Sequence, residues 1–444
     1  MAEQQAQSTF VDDLRWRNLL HDMTPGIEAY LSSAKSKARA YIGFDPSSDS
    51  LTVGNLVALT LLLRFQQHGH TPVVLIGGAT GMIGDPSGKN EERPLLSQEK
   101  VLANANAITR QIRTIFSRSK GPDPIFVNNL TWFGPIKLLT FLRDVGKHLT
   151  ISYMISKESV AQRLKQGISF TEFSYQLLQA YDFYHLMIHH NVMLQMGASD
   201  QWGNITSGIE LIRRKVGRTA YGLTCPLLTR PDGTKYGKTA EGQNIWLDPK
   251  RTSPYQFYQF WMNTSDEEAE RFIVVFSMKN RQTIEQLIAS HRESPHRRIL
   301  QRALAEEMTV WVHGSDALAE SRRATEVLFG KQSTIESLHT LPEHLIRNAL
   351  HGVPIYPIPE IPSEGMPLVE VLVQSRAFPS KAEVRRLIKS GGLSVNRQRI
   401  TSPDHRIYPS DLIHQKFLIG RKGKKNYFLL EKAKHNNRGE ANMD

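Results

Sequence analysis

At 444 residues the chain exceeds one ordinary domain, and its length predicts about two or three domains. The composition, with 40% hydrophobic and 22% charged residues, is typical of a folded globular protein, and the single Cys225 excludes an internal disulfide. The sequence contains no run of about eighteen apolar residues, so it does not predict a membrane span. The net charge of +12 is compatible with a polyanionic partner or with a merely basic protein.

The first half of the sequence alternates short apolar runs with amphipathic stretches. Its polar, acid-containing N-terminus has neither the order of a signal peptide nor the composition of an organelle leader, so we expect a cytoplasmic protein. Strands are predicted at Ala40–Phe44, Pro72–Gly78, Ile125–Val127 and Val192–Met196, and helices at Leu51–Phe65, Ile136–Val145, Phe170–Tyr184 and Ile205–Lys215. This alternation predicts a Rossmann-like parallel α/β sheet with right-handed crossovers. Ligands should therefore bind in the loops after Phe44, Gly78 and Met196.

The second half predicts further regions. Amphipathic stretches at Thr283–His291 and Pro295–Val312 indicate a helical domain, and the proline-rich residues 352–367 indicate a semi-rigid linker. The predicted divisions are a Rossmann-like catalytic domain over 1–245, an α-helical domain over 246–335, a linker over 336–367, a small basic α+β domain over 368–431 and a disordered tail over 432–444.

The loop from Asp45 to Asn55 joins the first predicted strand to its helix. Ser50 is a candidate N-cap, and Gly54 would allow close packing at the opening turn. A helix N-terminus presents unpaired N–H groups that suit a phosphate, although any strand–loop–helix connection has a similar pattern.

A second loop, from Gly77 to Lys89, is rich in glycine and carries Asp85 and Lys89. It is either a tight turn or a ligand-binding loop, and so many glycines around an acid favour a ligand. A third loop, Lys235–Thr239, places Lys235 and Lys238 around a glycine, where they would meet a transferring phosphate; alone, such a pair is typical of a solvated turn.

The fourth segment is the predicted helix that contains Tyr175, Gln179 and Asp182. Spacings of four and three residues place these side chains on one helical face. They form either a partly exposed polar stripe or a buried polar group that needs partners. In the fifth segment, Asp200 and Gln201 follow a predicted strand, where they could bind a ribose and a carboxylate.

Together, in this order and spacing, these five segments resemble the bacterial type of tyrosyl-tRNA synthetase, a class I enzyme. The resemblance extends from about Phe10 to Phe329 and resumes in the basic C-terminal unit. It implies that tyrosine is activated with ATP, with Mg2+ as counter-ion, and is transferred to tRNA(Tyr). It also implies a homodimer, with no tightly bound metal and no membrane partner.

The resemblance also implies roles for individual residues. The implied tyrosine-binding residues are Tyr41 and Asp182 for the phenol, Asp85, Tyr175 and Gln179 for the ammonium group, Gln201 near the carboxylate, and Asp45 in the pocket wall. The implied ATP-binding residues are Gly43, Gly54, Asp200 and Lys238. The implied catalytic residues are Thr52, Asn55, Lys89, Arg93, Lys235, Lys238 and Thr239.

Two residues depart from the family pattern. Thr52 stands where the nucleotide motif normally begins with histidine, and its shorter side chain reaches less far, so we expect transition-state stabilisation to be reduced or redistributed. Ala198 stands where the family usually has glycine, and its methyl group would crowd the ribose.

The C-terminal unit resembles an S4-like RNA-binding domain through the segment Phe378–Asn396. Lys381, Arg385 and Lys389 recur every four residues with Arg386 beside them, so they form one basic face, which is either merely solvated or an RNA-binding surface. We expect tRNA binding here, because the charge is concentrated in one small module.

Two other functions remain open from the sequence. Thr52 favours a catalytically weakened RNA-binding protein with the synthetase fold, whereas the tyrosine-binding set argues against it. A tryptophanyl relative would share the fold but would lack an acid–phenol pair directed at a substrate hydroxyl.

Overall fold

The computed structural model describes residues 9–33, 38–87, 94–165, 167–228, 243–330, 334–350, 353–423 and 426–432. The chain divides into two compact units, Met1–Thr252 with Phe257–Gly314, and Ser253–Gln256 with Ser315–Asp444. No helix in the described ranges is both long and apolar enough to cross a membrane.

The helices and strands are numbered in chain order. The helices are α1 (Phe10–Trp16), α2 (Ile27–Ser33), α3 (Leu56–Gln67), α4 (Gln98–Phe116), α5 (Leu130–Phe133), α6 (Leu138–Asp144), α7 (Ile151–Ile155), α8 (Glu158–Leu164), α9 (Phe170–His190), α10 (Trp202–Val216), α11 (Pro254–Met262), α12 (Asp266–Phe276), α13 (Arg281–Glu293), α14 (Ile299–His313), α15 (Ser315–Phe329), α16 (Ile335–His339), α17 (Glu343–Ala349), α18 (Leu368–Gln374) and α19 (Lys381–Lys389). The strands are β1 (Asp22–Met23), β2 (Arg39–Phe44), β3 (Thr71–Ile76), β4 (Ile125–Asn128), β5 (Leu194–Ala198), β6 (Tyr221–Cys225), β7 (Ile355–Pro357), β8 (Met366–Pro367), β9 (Leu393–Val395), β10 (Gln398–Arg399), β11 (Arg406–Ile407), β12 (Phe417–Lys422) and β13 (Asn426–Glu431).

The first unit contains a six-stranded sheet in the order β1-β6-β5-β2-β3-β4. All neighbours pair in parallel except β1, which is antiparallel to β6. The chain moves outward from β2 to β3 and β4 on one side, and from β5 to β6 on the other. The strand order therefore reverses between β2 and β5, where sheets of this type bind ligands. The predicted parallel α/β fold is confirmed.

The predicted helix at Leu51–Phe65 begins later than expected. Val53–Asn55 form one turn of 3-10 helix, and the α-helix begins at Leu56. Ser50 is not an N-cap, because its hydroxyl donates to the Leu51 carbonyl at 2.8 Å and accepts from the Asp248 amide at 3.1 Å. The segment before α3 is held instead by strand-like pairing, with the amides of Val53 and Leu247 donating to Ile245 and Leu51.

Helix α3 is buried on nearly every side and is fixed at its far end by Arg64. The Arg64 guanidinium donates to Asp13 at 3.2 Å and to the carbonyls of Val275 and Ser277 at 3.1 and 2.6 Å. Burial lowers the pKa of Arg64 to about 9, while Asp13 opposes the shift. A buried cation without these partners would be strongly destabilising, so the contacts hold α3 against α12.

The helix predicted at Pro295–Val312 is interrupted. Pro295–Arg297 form a 3-10 turn, Arg298 has φ of +52°, and α14 begins at Ile299. The Arg298 guanidinium donates to the carbonyls of Met262 and Thr264 at 2.6 and 2.9 Å, which offsets the cost of the left-handed backbone.

The second unit contains a five-stranded sheet in the order β10-β9-β12-β13-β7. Helices α18 and α19 pack on it around Leu372, Val384 and Phe428. The predicted linker over 336–367 differs from the structure, because it includes α17 and β7, and β7 pairs in parallel with β13. The prolines of this segment are compatible with an edge strand, which does not need every N–H. Residues 433–444 of the predicted tail lie outside the described residues.

Candidate functional site

Polar side chains cluster at the carboxyl ends of β2, β3 and β5. The loops after these strands carry Asp45, Asp85 and Gln201, as predicted. Helix α9 contributes Tyr175 and Asp182, both buried. Its N-terminus is capped by the Ser169 hydroxyl, which accepts from the Glu172 amide at 3.1 Å.

Asp182 is a fully buried carboxylate with two protein donors. Trp132 Nε1 donates to Oδ1 at 2.9 Å, and Asn129 Nδ2 donates to Oδ2 at 3.1 Å. Burial raises the pKa of Asp182 to about 8; the two donors lower it, and the charge of Asp45 raises it further. Such a carboxyl is costly to bury and favours a further partner.

Tyr41 lies on the central strand β2 and is fully buried, with its ring 5.4 Å from that of Phe183. Its hydroxyl has no hydrogen-bond partner among the described residues. Burial and then the charge of Asp182 raise the pKa of Tyr41 well above its ordinary value. A protonated, unpaired hydroxyl beside a buried carboxyl would gain from a bound polar group.

A continuous chain of hydrogen bonds connects Asp182 with Asp45 and Tyr175. Asn129 also donates to Thr80 at 2.9 Å, and Thr80 donates to Asp45 at 2.7 Å. The Tyr175 hydroxyl donates to the other Asp45 oxygen at 2.7 Å. Burial and the charge of Asp45 raise the pKa of Tyr175 well above its ordinary value, so it remains a donor.

Sequence reasoning missed Thr80, Asn129, Trp132 and Gln195. Asn129 directly follows β4, and the position of an amide at a strand end could have identified it. Gln195 is the register partner of Tyr41 on the adjacent strand, and its buried side-chain oxygen has no partner among the described residues. Trp132 gave no signal, because its role depends on a contact across 50 residues of sequence.

A second polar cluster surrounds Asp85. Gln201 Nε2 donates to Asp85 Oδ2 at 2.7 Å, and Gln179 Nε2 donates to Gln201 Oε1 at 3.3 Å. The Gln179 side-chain oxygen is buried without a partner among the described residues. The structure therefore brings the predicted residues Asp85, Gln179 and Gln201 together, with Asn204 as an additional donor.

Two glycines make this packing possible. A Cβ at Gly77 would lie 2.0 Å from Asp45 Oδ1 and 2.5 Å from Thr80 Oγ1, and a Cβ at Gly78 would lie 2.2 Å from Asn128 Oδ1. These glycines allow β3 to end directly against the polar chain.

The predicted nucleotide segment lies on the same edge of the sheet. The Thr52 amide and hydroxyl both donate to Asn55 Oδ1, at 2.9 and 3.1 Å, so the Asn55 oxygen is occupied. Gly54 is exposed, and Gly43 is the one exposed residue of β2. Asp200 lies in the 3-10 turn that follows Ala198, the last residue of β5.

The remaining predicted residues of the catalytic domain, Lys89, Arg93, Lys235, Lys238 and Thr239, lie outside the described residues. Among the residues that are described, no group of three or more metal-binding side chains could hold an ion.

The predicted basic residues of the second unit lie on α19, with Val384 and Ile388 buried beneath them. The exposed basic residues are Lys381, Arg385, Arg386 and Lys389. Lys381 also donates to Glu370 at 2.6 Å, an exposed pair that contributes little stability.

Comparison with known proteins covers both units. The family model of class I tRNA synthetases (W and Y) matches residues 33–330, and that of the tyrosine–tRNA ligase SYY-like C-terminal domain matches residues 346–430. The chain is 49% identical over 427 residues to a tyrosine–tRNA ligase of Cytophaga hutchinsonii, covering 95% of this chain and 99% of the relative. It is 48% identical over 429 residues to one of Bacteroides fragilis, again covering 95% and 99%.

Solved structures show the same fold. A C-terminally truncated mitochondrial tyrosyl-tRNA synthetase of Aspergillus nidulans is 27% identical with a TM-score of 0.66, covering 74% of this chain and 96% of that one. A tyrosyl-tRNA synthetase of Archaeoglobus fulgidus complexed with L-tyrosine has a TM-score of 0.52 at 17% identity, covering 70% and 99%, and supports the fold alone.

Proposed function

The chain belongs to the tyrosine–tRNA ligases, which are class I aminoacyl-tRNA synthetases, and from this premise we propose how its residues bind and activate tyrosine. As a member of this family it joins tyrosine to tRNA and uses ATP as a substrate. A tyrosine carboxylate oxygen attacks the α-phosphorus of ATP and pyrophosphate leaves; a ribose hydroxyl at the tRNA 3′ end then attacks the acyl carbon, and AMP leaves. Both steps depend on positioning and on charge, without a protein nucleophile.

The substrate phenol would bind between Tyr41 and Asp182. The observation that carries this proposal is the buried, unpartnered Tyr41 hydroxyl beside a buried carboxyl. A substrate phenol would donate to Asp182 and accept from Tyr41, whereas phenylalanine would leave both groups unpaired. This is how a polar pocket rejects a substrate that lacks a hydroxyl, and tyrosyl enzymes are themselves the standard example.

The substrate ammonium group would bind near Tyr175. The Tyr175 hydroxyl donates to Asp45 at 2.7 Å, and after burial the charges of Asp45 and Asp85 raise the pKa of Tyr175, so negative charge lies near this position. The field of Asp45 and Asp85 favours a cation and repels the substrate carboxylate, which would turn toward Gln201 and ATP. Gln179 has an unpaired oxygen that could accept from the ammonium.

ATP would lie over the open carboxyl edge of the sheet. Gly43 and Gly54 leave room for close approach, and Asp200 would accept from the ribose. Because Thr52 occupies the Asn55 oxygen, the Asn55 amide group is left to donate toward phosphate. From the resemblance we propose that Mg2+ accompanies ATP, that positive charge comes from Lys89, Arg93, Lys235 and Lys238, and that the Thr239 hydroxyl adds a hydrogen-bond donor.

The exposed face of α19 would bind tRNA through its phosphates. Substituting glutamine at Lys381, Arg385, Arg386 and Lys389 should weaken tRNA binding and lower its dependence on salt. Tyrosine activation should not change, since this face belongs to the second unit. Unchanged tRNA affinity would contradict the assignment.

A second copy of the chain would cover an apolar surface on the first unit. Leu138, Leu139, Ile151 and Phe170 are 70%, 78%, 67% and 78% exposed. Apolar side chains so exposed are typical of a subunit interface, and a symmetric homodimer is the simplest closed assembly. Sedimentation should give a dimer that Leu139→Glu dissociates, whereas Leu95→Glu, at a 65% exposed leucine elsewhere, should have no effect. Dissociation by both variants or by neither would contradict this interface.

Two further proposals concern organisation and location. The catalytic, helical and RNA-binding domains would follow one another along the chain, and tyrosine activation would be confined to the first unit. The protein would act in the cytoplasm, where tRNA and ATP are available.

Pyrophosphate exchange tests the proposed site. Tyrosine should support ATP–pyrophosphate exchange, phenylalanine should support it only at a kcat/KM lower by orders of magnitude, and tryptophan should not support it. Tyr41→Phe should raise KM for tyrosine about 2- to 12-fold and leave KM for ATP unchanged, because one hydrogen bond is lost. Tyr181→Phe, which removes a phenol hydroxyl from α9 and leaves Tyr41 on β2 intact, is the matched control. Absence of exchange would favour the RNA-binding alternative, and exchange with tryptophan would favour the tryptophanyl one.

A further inference from the structure

A column of three aromatic rings, one stacked pair followed by one tilted pair, extends from Asp182 toward the exposed His189 on α9. The Trp132 and His185 ring centroids lie 4.3 Å apart with planes inclined by 18°, and His185 and His189 lie 4.3 Å apart at 37°. Trp132 is the residue whose indole N–H donates to Asp182. His185 lies three residues after Asp182, so it shares the same helical face.

We propose that His185 is a positioning residue for tyrosine recognition, because it holds the Trp132 indole in the plane that directs its N–H at Asp182. This inference rests on the proposed role of Asp182. Stacking on the face of a ring fixes the tilt of that ring and leaves the atoms at its edge free. A stacked neighbour can therefore orient the indole N–H without forming a hydrogen bond to it. An indole rotated out of this plane would lose the bond to Asp182 Oδ1.

The surroundings of His185 support a stacking role. Its ring nitrogens make no hydrogen bond with the described residues, although it is half-buried. Burial and then the neighbouring His189 and His190 lower the pKa of His185 to about 4, so the imidazole is neutral at neutral pH. A neutral flat ring without polar partners acts on Trp132 through its face.

The decisive readout is discrimination between tyrosine and phenylalanine. Only tyrosine has a hydroxyl that meets Asp182, so misplacing that carboxylate should lower kcat/KM for tyrosine and leave the value for phenylalanine unchanged. His185→Ala should reduce the tyrosine-to-phenylalanine ratio in pyrophosphate exchange about 2- to 12-fold, the range expected for one stacked pair. A merely structural contribution would lower both values together.

Two variants control this measurement. His185→Phe keeps a flat ring and should keep the ratio within about twofold of the parent. His190→Ala removes a ring 6.3 Å from His185 and should have no effect. The proposal would be overturned if His185→Ala left the tyrosine-to-phenylalanine ratio unchanged. It would also be overturned if His185→Phe, at unchanged Tm, lowered this ratio as much as His185→Ala does.

A double substitution separates this inference from the proposed function. Trp132→Phe removes the indole donor and should lower the ratio by itself. In that background His185→Ala should cause no further loss, since no N–H remains to be oriented. Additive losses would overturn the positioning role alone. A normal ratio in Trp132→Phe would instead contradict the proposed recognition of the phenol by Asp182.

Discussion

Replacing Asp182 by asparagine should change how the stability of the first unit depends on pH. The pKa of this carboxyl is raised to about 8 in the fold, from an ordinary value of 3.8. Between these values the folded protein keeps a proton that the unfolded chain loses, so the free energy of unfolding falls as pH rises. The contribution is constant below the lower value and above the upper one. At mid-window the slope approaches about 1.4 kcal/mol per pH unit.

Asparagine removes this slope, because an amide does not titrate. It adds a separate cost, since its NH2 group must face the N–H of either Asn129 or Trp132. An unsatisfied pair of this kind costs about 1–3 kcal/mol at every pH and therefore shifts the curve without tilting it. The slope of the unfolding free energy against pH therefore reports the titration of the Asp182 carboxyl. The pH-independent difference between parent and variant reports the hydrogen bonds from its donors.

Urea unfolding at pH 5, 6 and 7 would measure this effect through tryptophan fluorescence, because all six tryptophans lie in the first unit. The stability of the parent relative to Asp182→Asn should fall by about 2–3 kcal/mol between pH 5 and 7. Saturating tyrosine should reduce the slope, since a phenol donor favours the ionised carboxylate. A difference in unfolding free energy between parent and variant that does not change with pH would refute the reasoning. So would a parent whose stability relative to the variant increases as pH rises.

Three further predictions concern other parts of the fold. Gly77→Ala should abolish most tyrosine activation, whereas Gly146→Ala, whose added Cβ meets nothing within 4 Å, should be active; equal activities in pyrophosphate exchange would contradict the packing argument. Arg163→Met should destabilise the first unit by about 3–5 kcal/mol, because it leaves the buried Glu172 carboxylate without its 2.8 Å partner; a loss below 1 kcal/mol in urea unfolding would be inconsistent. Deleting residues 334–444 should leave exchange intact and lower aminoacylation about 100-fold or more, and loss of exchange by a folded truncation would contradict the division of labour.

The parallel sheet could be predicted because its strands are short apolar runs separated by amphipathic helices, a pattern local to the sequence. The late start of α3 could not, since Leu51 and Val53 pair with a segment almost 200 residues away. The proline-rich segment has the composition of a linker, and its sequence does not show that β13 is available as a partner for β7.

The candidate site divides in the same way. Tyr41 and Asp182 could be identified by resemblance, and Gln179 and Asp182 by their helical spacing. The hydrogen bonds from Asn129 and Trp132 depend on β4 ending beside α9, which no local pattern indicates.

A crystal structure with bound tyrosine would test the central claim most directly. The substrate phenol oxygen should lie within about 3.2 Å of both the Tyr41 hydroxyl and an Asp182 carboxyl oxygen. The Trp132 bond to Asp182 should persist. A phenol ring bound elsewhere, with the Tyr41 hydroxyl still unpaired, would contradict the account.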